Sequence, residues 1–332
     1  MPEVLPDLNN AVSTNPSPST GWAERIILRV LAVVVFWFLL RTVGFQGMYI
    51  PSDSMIGTLQ EGDYILVNKF ALGARLPGFE NFRLPGYSEV AVNDILVFNL
   101  PSEINKSIHN RKPYIKRCIG LPGDTISISD GFVLINGKKI GEPASRIYKF
   151  NIQLKSEVFA KQFFGNHKIT NYKIVDADTY SITATQQTAQ LLSELKEVLS
   201  VSQSSTNKLS YETSLFPKDA SRKWNSDNYG PLLIPAKGQT VVLDAKHLHE
   251  FRTIITEYEG NTLQIKSDSV YINSKYSPTY TFLNNYYFVA GDNRYTSTDS
   301  REFGYVPENH IIGRVDLLLY NSAKSQIITL LR

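Results

Sequence analysis

The segment IPSDSMIGTLQEGDYILVNKF, Ile50 to Phe70, decides how the rest of the chain is read. Its first half is turn-rich, with Pro51, Ser52, Asp53 and Gly57 around the pair Ser54-Met55. Its second half, Asp63 to Phe70, alternates: Tyr64, Leu66 and Asn68 fall on one face of a strand and Ile65 and Val67 on the other. A serine presented on a turn that feeds directly into a strand is a candidate nucleophile, and the chemistry has to come from elsewhere in the chain.

Upstream lies WAERIILRVLAVVVFWFLLRTVGF, in which Val30 to Leu40 is an unbroken apolar run of eleven residues. A helix crossing a hydrocarbon core of ~30 Å needs about 20 residues, and Trp22 to Phe45 supplies them if Arg29 and Arg41 extend toward opposite surfaces. The flank LLRTVGFQGM carries no small-residue cleavage site, which disfavours a removable leader. VLAVVVFWFLL has no polar face, which disfavours a core helix. The segment is therefore expected to span a membrane. Arg25 and Arg29 precede the span and Arg41 follows it, which places the N-terminus in the cytoplasm and the remainder outside. Residues 1–21, with four prolines and few apolar side chains, are expected to be disordered.

Downstream, DILVFNL (Asp94–Leu100) and Tyr114–Ile119 read as strands, LPGD (121–124) as a turn, and Asn136-Gly137 as a hairpin tip. Thr185 to Leu199 places Ala189, Leu192, Leu195 and Leu199 on one helical stripe, and SVSQSSTNK after it reads as a flexible loop. With 18 tyrosines and 17 phenylalanines in 332 residues the chain leans to β structure. The expected organisation is mainly β: a catalytic unit from 46–140 and 286–332, and an inserted α+β unit over 141–285. Phe70, Leu72 and Phe79 to Phe82 would form an apolar collar at the lipid surface.

A net charge of +3 is too small for the chain length to point to nucleic acid. The single Cys118 excludes an intrachain disulfide and says nothing about compartment. No metal set stands out. His247-Leu248-His249 would point two imidazoles to one side of a strand, but a lone pair of this kind is more often surface structure than a metal site. A serine nucleophile can instead use a lysine whose amine is neutral. Lys116, between Tyr114, Ile115, Cys118 and Ile119, is the candidate, because burial disfavours its charged form; Arg117 would point the opposite way. Two short strings fit another Ser-Lys pattern, Ser193-Glu-Leu-Lys196 and Ser226-Asp227-Asn228, but no K-T-G-like triplet follows.

Three segments, PSDSMIGTL, YIKRCIGLPGDTI and GDNRYTSTDSREFGYVP, occur in this order behind an apolar helix, and together they resemble the type I signal peptidases. The resemblance implies a signal-peptidase-like β fold with Ser54 as nucleophile and Lys116 as general base. It implies Ser52 as an oxyanion donor beside the Ser54 N–H, and Ser297 orienting the lysine. Asp292, Asp299 and Arg301 would hold the C-terminal loop, and Ile50, Pro51, Met55, Leu59, Tyr114 and Ile115 would line pockets for small substrate side chains. It further implies cleavage of exported preproteins after an A-x-A-like site at the outer face of the inner membrane, with signal peptides and the bilayer as partners and no cofactor. An anchored β-rich binding protein with an inactive site is the alternative. The chain departs from the family pattern at Asp53 and Gly57, where glycine and proline are usual, and at Tyr295-Thr296, where Asp-Asn is common. Asp53 is expected to face solvent.

Overall fold

The computed structural model describes residues 21–76, 82–156, 160–167, 169, 171–219, 221–266, 269–321 and 326–331; residues 1–20 of the expected tail and 79–81 of the expected collar lie outside them. Helix α1, Trp22–Leu39, continues through a π-helical turn over Leu40–Gly44, and none of the side chains of α1 is buried. Trp22–Gly44 is long and apolar enough to cross a membrane. The chain then enters β1 (Phe45–Tyr49), which pairs with β2 (Tyr64–Asn68) from Phe45↔Asn68 to Tyr49↔Tyr64, so the helix joins the sheet without a linker.

β3 (Ile95–Asn99) and β4 (Pro113–Gly120) follow. β3 is buried at every position because the sheet is covered on both faces: Ile95 and Val97 pack with Met55, Leu59, Ile65 and Val67, while Leu96 and Phe98 pack with Cys118, Val289 and Val306. Hairpins join β5 (Thr125–Ser129), β6 (Phe132–Ile135) and β7 (Lys138–Lys139). Asn136-Gly137 makes the second turn as expected, both residues having positive φ. Asp130-Gly131 makes the first in the same way.

Residues 148–203 form a unit with its own core. β8 (Tyr148–Leu154) is the centre of a sheet with β9 (Tyr172–Ile174), β10 (Thr179–Ala184) and β11 (Val198–Gln203), covered by α2 (Ala160–Asn166) and α3 (Gln186–Ser193). Two expectations fail here. The helix ends at Ser193 rather than Leu199, and Val198 to Gln203, two of them assigned to the helix and four to a loop, form a strand. The stripe residues Ala189 and Leu192 are buried, but Val198 and Val201 gain more by pairing with Leu154 and Ile152 on β8 than a further helical turn would give.

The later part of 141–285 packs elsewhere. β12 (Tyr229–Leu233) pairs with β5, and β13 (Thr240–Val242), α4 (Ala245–Thr253), β14 (Leu263–Lys266), β15 (Ser269–Ile272), β16 (Lys275–Tyr276) and β17 (Thr279–Thr281) follow. Their apolar side chains share one core with Ile126, Ile128 and Val133, whose hairpin would otherwise expose an apolar face. His247 and His249 lie in α4, not on a strand.

β18 (Tyr286–Ala290), α5 (Ser300–Phe303), β19 (Val306–Pro307), β20 (Ile311–Asn321) and β21 (Gln326–Leu330) complete the main sheet. Its order is β1-β2-β20-β3-β4-β18-β19, with β21 also on β20. Of the collar, Phe70 and Phe82 are exposed, whereas Leu72 is buried beside Leu96 and Phe98.

Candidate active site

Ser54 sits in a single 3-10 turn, Asp53–Met55. Met55 anchors that turn by burying its whole side chain in the core with Ile50 and Leu59. Its Ser54 carbonyl accepts a hydrogen bond from Asn293 N at 3.1 Å, which fixes the turn against the loop after β18. Lys116 is on β4 opposite Leu96 and is only 3% exposed. Its Nζ lies 2.7 Å from Ser54 Oγ and 3.0 Å from the Ile115 carbonyl.

Burial lowers the Lys116 pKa to about 8, with Asp299 and Asp292 pulling it back up. The effect is large in population. At pH 7 a pKa of 8 leaves roughly a tenth of the amine neutral, against about three in ten thousand for an unperturbed lysine. Tyr114 places its ring 5.4 Å from Nζ, an apolar wall whose face favours the cation slightly. Asp53 is exposed to solvent, as expected, and accepts from Glu61 N at 3.1 Å, but it also borders the cleft that opens over the pair.

Around the pair, buried ionic contacts hold the loop 291–301. Asp299 caps α5 and takes two hydrogen bonds of 2.9 Å from Arg301, together with one from Gly291 N at 3.1 Å. Burial opposes ionisation of Asp299, but Arg301 holds its carboxyl below the usual range. Arg301 also donates to Arg294 O at 2.6 Å. Arg117, on the side of β4 away from Lys116, makes a bidentate pair with Asp292, each contact 2.7 Å.

Several supporting residues were not legible beforehand. Thr58 donates to Asp292 at 2.6 Å, accepts from Arg117 at 3.0 Å and meets Ser145 Oγ at 2.6 Å. Glu142 bridges Arg146 and Arg294. Ser145 and Glu142 are about ninety residues from Ser54, in a stretch without a motif. Gly57 marks the contact: its φ is +101° and a Cβ there would stand 2.0 Å from the Ser145 carbonyl oxygen. Proline, with φ near −65°, cannot take that conformation, which accounts for glycine at this position.

A cleft of about 880 Å³ opens over the pair. Pro51, Ser52, Ser54, Tyr114, Ile115 and Lys116 line one side. Ile50, Met55 and Leu59 do not reach its wall; they are buried in the core beneath, because the turn needs them as its hydrophobic foot. The far side comes from the 148–203 unit, including His167 and Thr185. Ser52 is exposed and makes no capping bond to its own turn, leaving its hydroxyl available to the cleft. Ser297 is not hydrogen-bonded to Lys116. Its Oγ is buried without a partner among the described residues, packed over Gly291, where a Cβ would come within 2.3 Å of it. Ser193 and Ser226 donate instead to Gln190 O and Glu212, and neither lines this cleft. Cys118 is buried and its thiol is pushed up to about 12, an inert group. No group of three or more metal-ligating side chains occurs among the described residues.

The sequence model of the signal peptidase family, peptidase S26, matches residues 22–194 and 234–320. Signal peptidase I of Buchnera aphidicola (subspecies Baizongia pistaciae) is 28% identical over 297 residues, 89% of this chain and 76% of that one. Signal peptidase I of Pseudomonas aeruginosa is 40% identical over 111 residues, 33% of this chain and 37% of that one. A solved signal peptidase I from Enterococcus faecalis aligns with 68% of this chain and 97% of its own at 19% identity, with a TM-score of 0.25. The family match covers most of the chain, including Ser54, Lys116 and the loop that holds them: the chain belongs to the peptidase S26 family of type I signal peptidases and is a serine endopeptidase.

Proposed function

We propose that this chain removes N-terminal signal peptides from exported preproteins, cutting after a small residue with Ser54 as nucleophile and neutral Lys116 as general base. The observation that carries the reading is the 2.7 Å approach of a buried lysine amine to a serine hydroxyl at the floor of a cleft. As Ser54 Oγ attacks the scissile carbonyl, its proton passes to Lys116 Nζ. The oxyanion is stabilised by the Ser54 N–H and the Ser52 hydroxyl. The ammonium so formed returns its proton to the departing amine nitrogen, and Asp299 and Asp292 favour that charged state. Water, deprotonated by the same amine, then releases the acyl group. Ser297, whose Oγ is buried over Gly291 in the loop packed against the pair, is assigned to position the amine.

The substrate is read as an added strand. β18 pairs with β4 only from Arg117 to Gly120, which leaves the edge of Pro113 to Lys116 open beside the cleft. Pro51, Tyr114 and Ile115 line shallow apolar ground there, suited to side chains no larger than alanine. α1 anchors the enzyme in the inner membrane with its N-terminus in the cytoplasm and the cleft at the outer face, where preproteins emerge. A preprotein-cleavage assay tests this. Ser54→Ala, Lys116→Ala and Lys116→Arg should each abolish cleavage while the circular dichroism spectrum is unchanged, arginine failing because a guanidinium is no base near neutral pH. Near-wild-type cleavage by Lys116→Ala would exclude the mechanism.

A further inference from the structure

A second cavity, of about 450 Å³, lies where α1 meets the sheet, and its two walls are unlike. One is apolar, built from Trp37 and Phe38 of the helix with Met48 and Ile312 of the sheet. The other carries Arg41, Lys69, Arg75 and Arg111, and no Asp or Glu lines the cavity among the described residues.

Lys69 and Arg111 are held by neutral groups, and Arg75 makes two contacts of the same kind. Lys69 Nζ donates to the carbonyls of Arg41 at 3.0 Å and Thr42 at 3.3 Å, and Lys69 N donates to Gly44 O at 2.8 Å. These bonds tie the end of the helix to the end of β2. Arg75 donates to Asn309 O at 2.9 Å and to Asn99 Oδ1 at 2.5 Å. Arg111 donates to the carbonyls of Lys106 and Pro101 at 2.9 and 3.1 Å. Carbonyls orient a cation without cancelling its charge, so Lys69 and Arg111 keep the wall positive, with exposed Arg41 beside them. Burial, Arg75 and Arg41 together lower the Lys69 pKa, as expected where like charges gather. Arg41 is exposed and lies over the Trp37 ring at 5.6 Å.

The depth of this cavity matters. The apolar run ends at Leu40, and the cations begin one residue later. A phospholipid presents its phosphate where its acyl region ends, and such a phosphate is bound by clustered Lys and Arg. We propose that this cavity takes the phosphate of an anionic glycerophospholipid, with the acyl chains lying along Trp37 and Phe38. A free phosphate would use the cations and leave the apolar wall without a role. Bound lipid would fix the height of the cleft above the bilayer. The proposal rests on the membrane-anchor reading above.

The test uses the full chain in a non-ionic detergent at low salt, with thermal unfolding followed as dioleoyl phosphatidylglycerol, dioleoyl phosphatidylcholine or inorganic phosphate is added. Phosphatidylglycerol should raise the midpoint saturably, while phosphatidylcholine and phosphate at equal concentration should not. Arg41→Gln should weaken half-saturation about fivefold, the effect of one basic side chain near an anionic headgroup. Lys69→Gln should do at least as much, and Lys69→Arg should preserve binding. Because Lys69 also braces the helix, exposed Arg41 keeps the test decisive if Lys69→Gln does not fold. Equal shifts with both lipids, wild-type titration by Arg41→Gln, or saturation by phosphate alone would each overturn the site. Flotation with phosphatidylcholine vesicles separates the two claims: a chain that floats but shows no lipid preference refutes only the site, and a chain that does not float refutes the anchor and the site together.

Discussion

Replacing Gly57 with proline, the residue usual in the family at this position, should disable this enzyme. Gly57 has φ +101° and an added Cβ would sit 2.0 Å from Ser145 O, where real Cβ contacts essentially never fall below 3.0 Å. The two turns that meet here must therefore separate by about 1 Å even for alanine, and the left-handed backbone adds about 1–2 kcal/mol. Proline cannot reach the conformation at all. The next residue, Thr58, joins Asp292, Arg117 and Ser145, and Ser54 is three residues back, so the displacement reaches the nucleophile. A misplacement of about 1 Å can cost on the order of 100-fold in rate. Steady-state cleavage of a fluorogenic signal-peptide substrate should show kcat/KM down by about that factor for Gly57→Ala and further for Gly57→Pro, with a lowered Tm for both. If Gly57→Pro keeps activity within about threefold and an unchanged Tm, the argument that the 142–147 segment dictates this glycine is wrong.

Three other outcomes follow from the same geometry. Asp299→Asn leaves Arg301 charged, buried and without its carboxylate, a change that typically costs about 3–5 kcal/mol; urea unfolding should show that loss, and cleavage should go with it. Ser297→Ala removes a buried hydroxyl that has no partner among the described residues, so Tm should hold while kcat falls by at least about tenfold with KM little changed. Lys116 has a folded pKa of about 8 against a usual 10.5, so between those values the unfolded chain binds the extra proton and stability rises with pH. The penalty is complete below about pH 8 and amounts to about 3 kcal/mol from this group; Lys116→Met should remove it and flatten the stability difference between pH 8 and pH 10.

What could be read from the sequence was what local chemistry dictates. The apolar run of α1, the alternation in β2 and the Asn136-Gly137 turn each depend on neighbouring residues alone, and each stands in the structure. The boundary of α3 did not, because Val198 and Val201 follow the partner that β8 offers across more than forty residues. The substrate-wall assignment for Ile50, Met55 and Leu59 missed for a related reason: a short apolar side chain beside a nucleophile reads the same whether it faces substrate or roots the turn, and here all three are core. Thr58, Ser145, Glu142 and His167 carry no pattern of their own. Only Gly57, a glycine replacing the usual proline, signalled that another segment comes close.

The central claim is that burial keeps the Lys116 amine able to take a proton from Ser54 near neutral pH. It is tested most directly by the rate at which a serine-acylating probe modifies Ser54 as pH is varied from 6 to 11. The account predicts a rate that rises through a half-point near pH 8, the value to which burial brings this lysine, and that vanishes in Lys116→Ala. A rate independent of pH over that range, or a half-point at the ordinary lysine value, would contradict it.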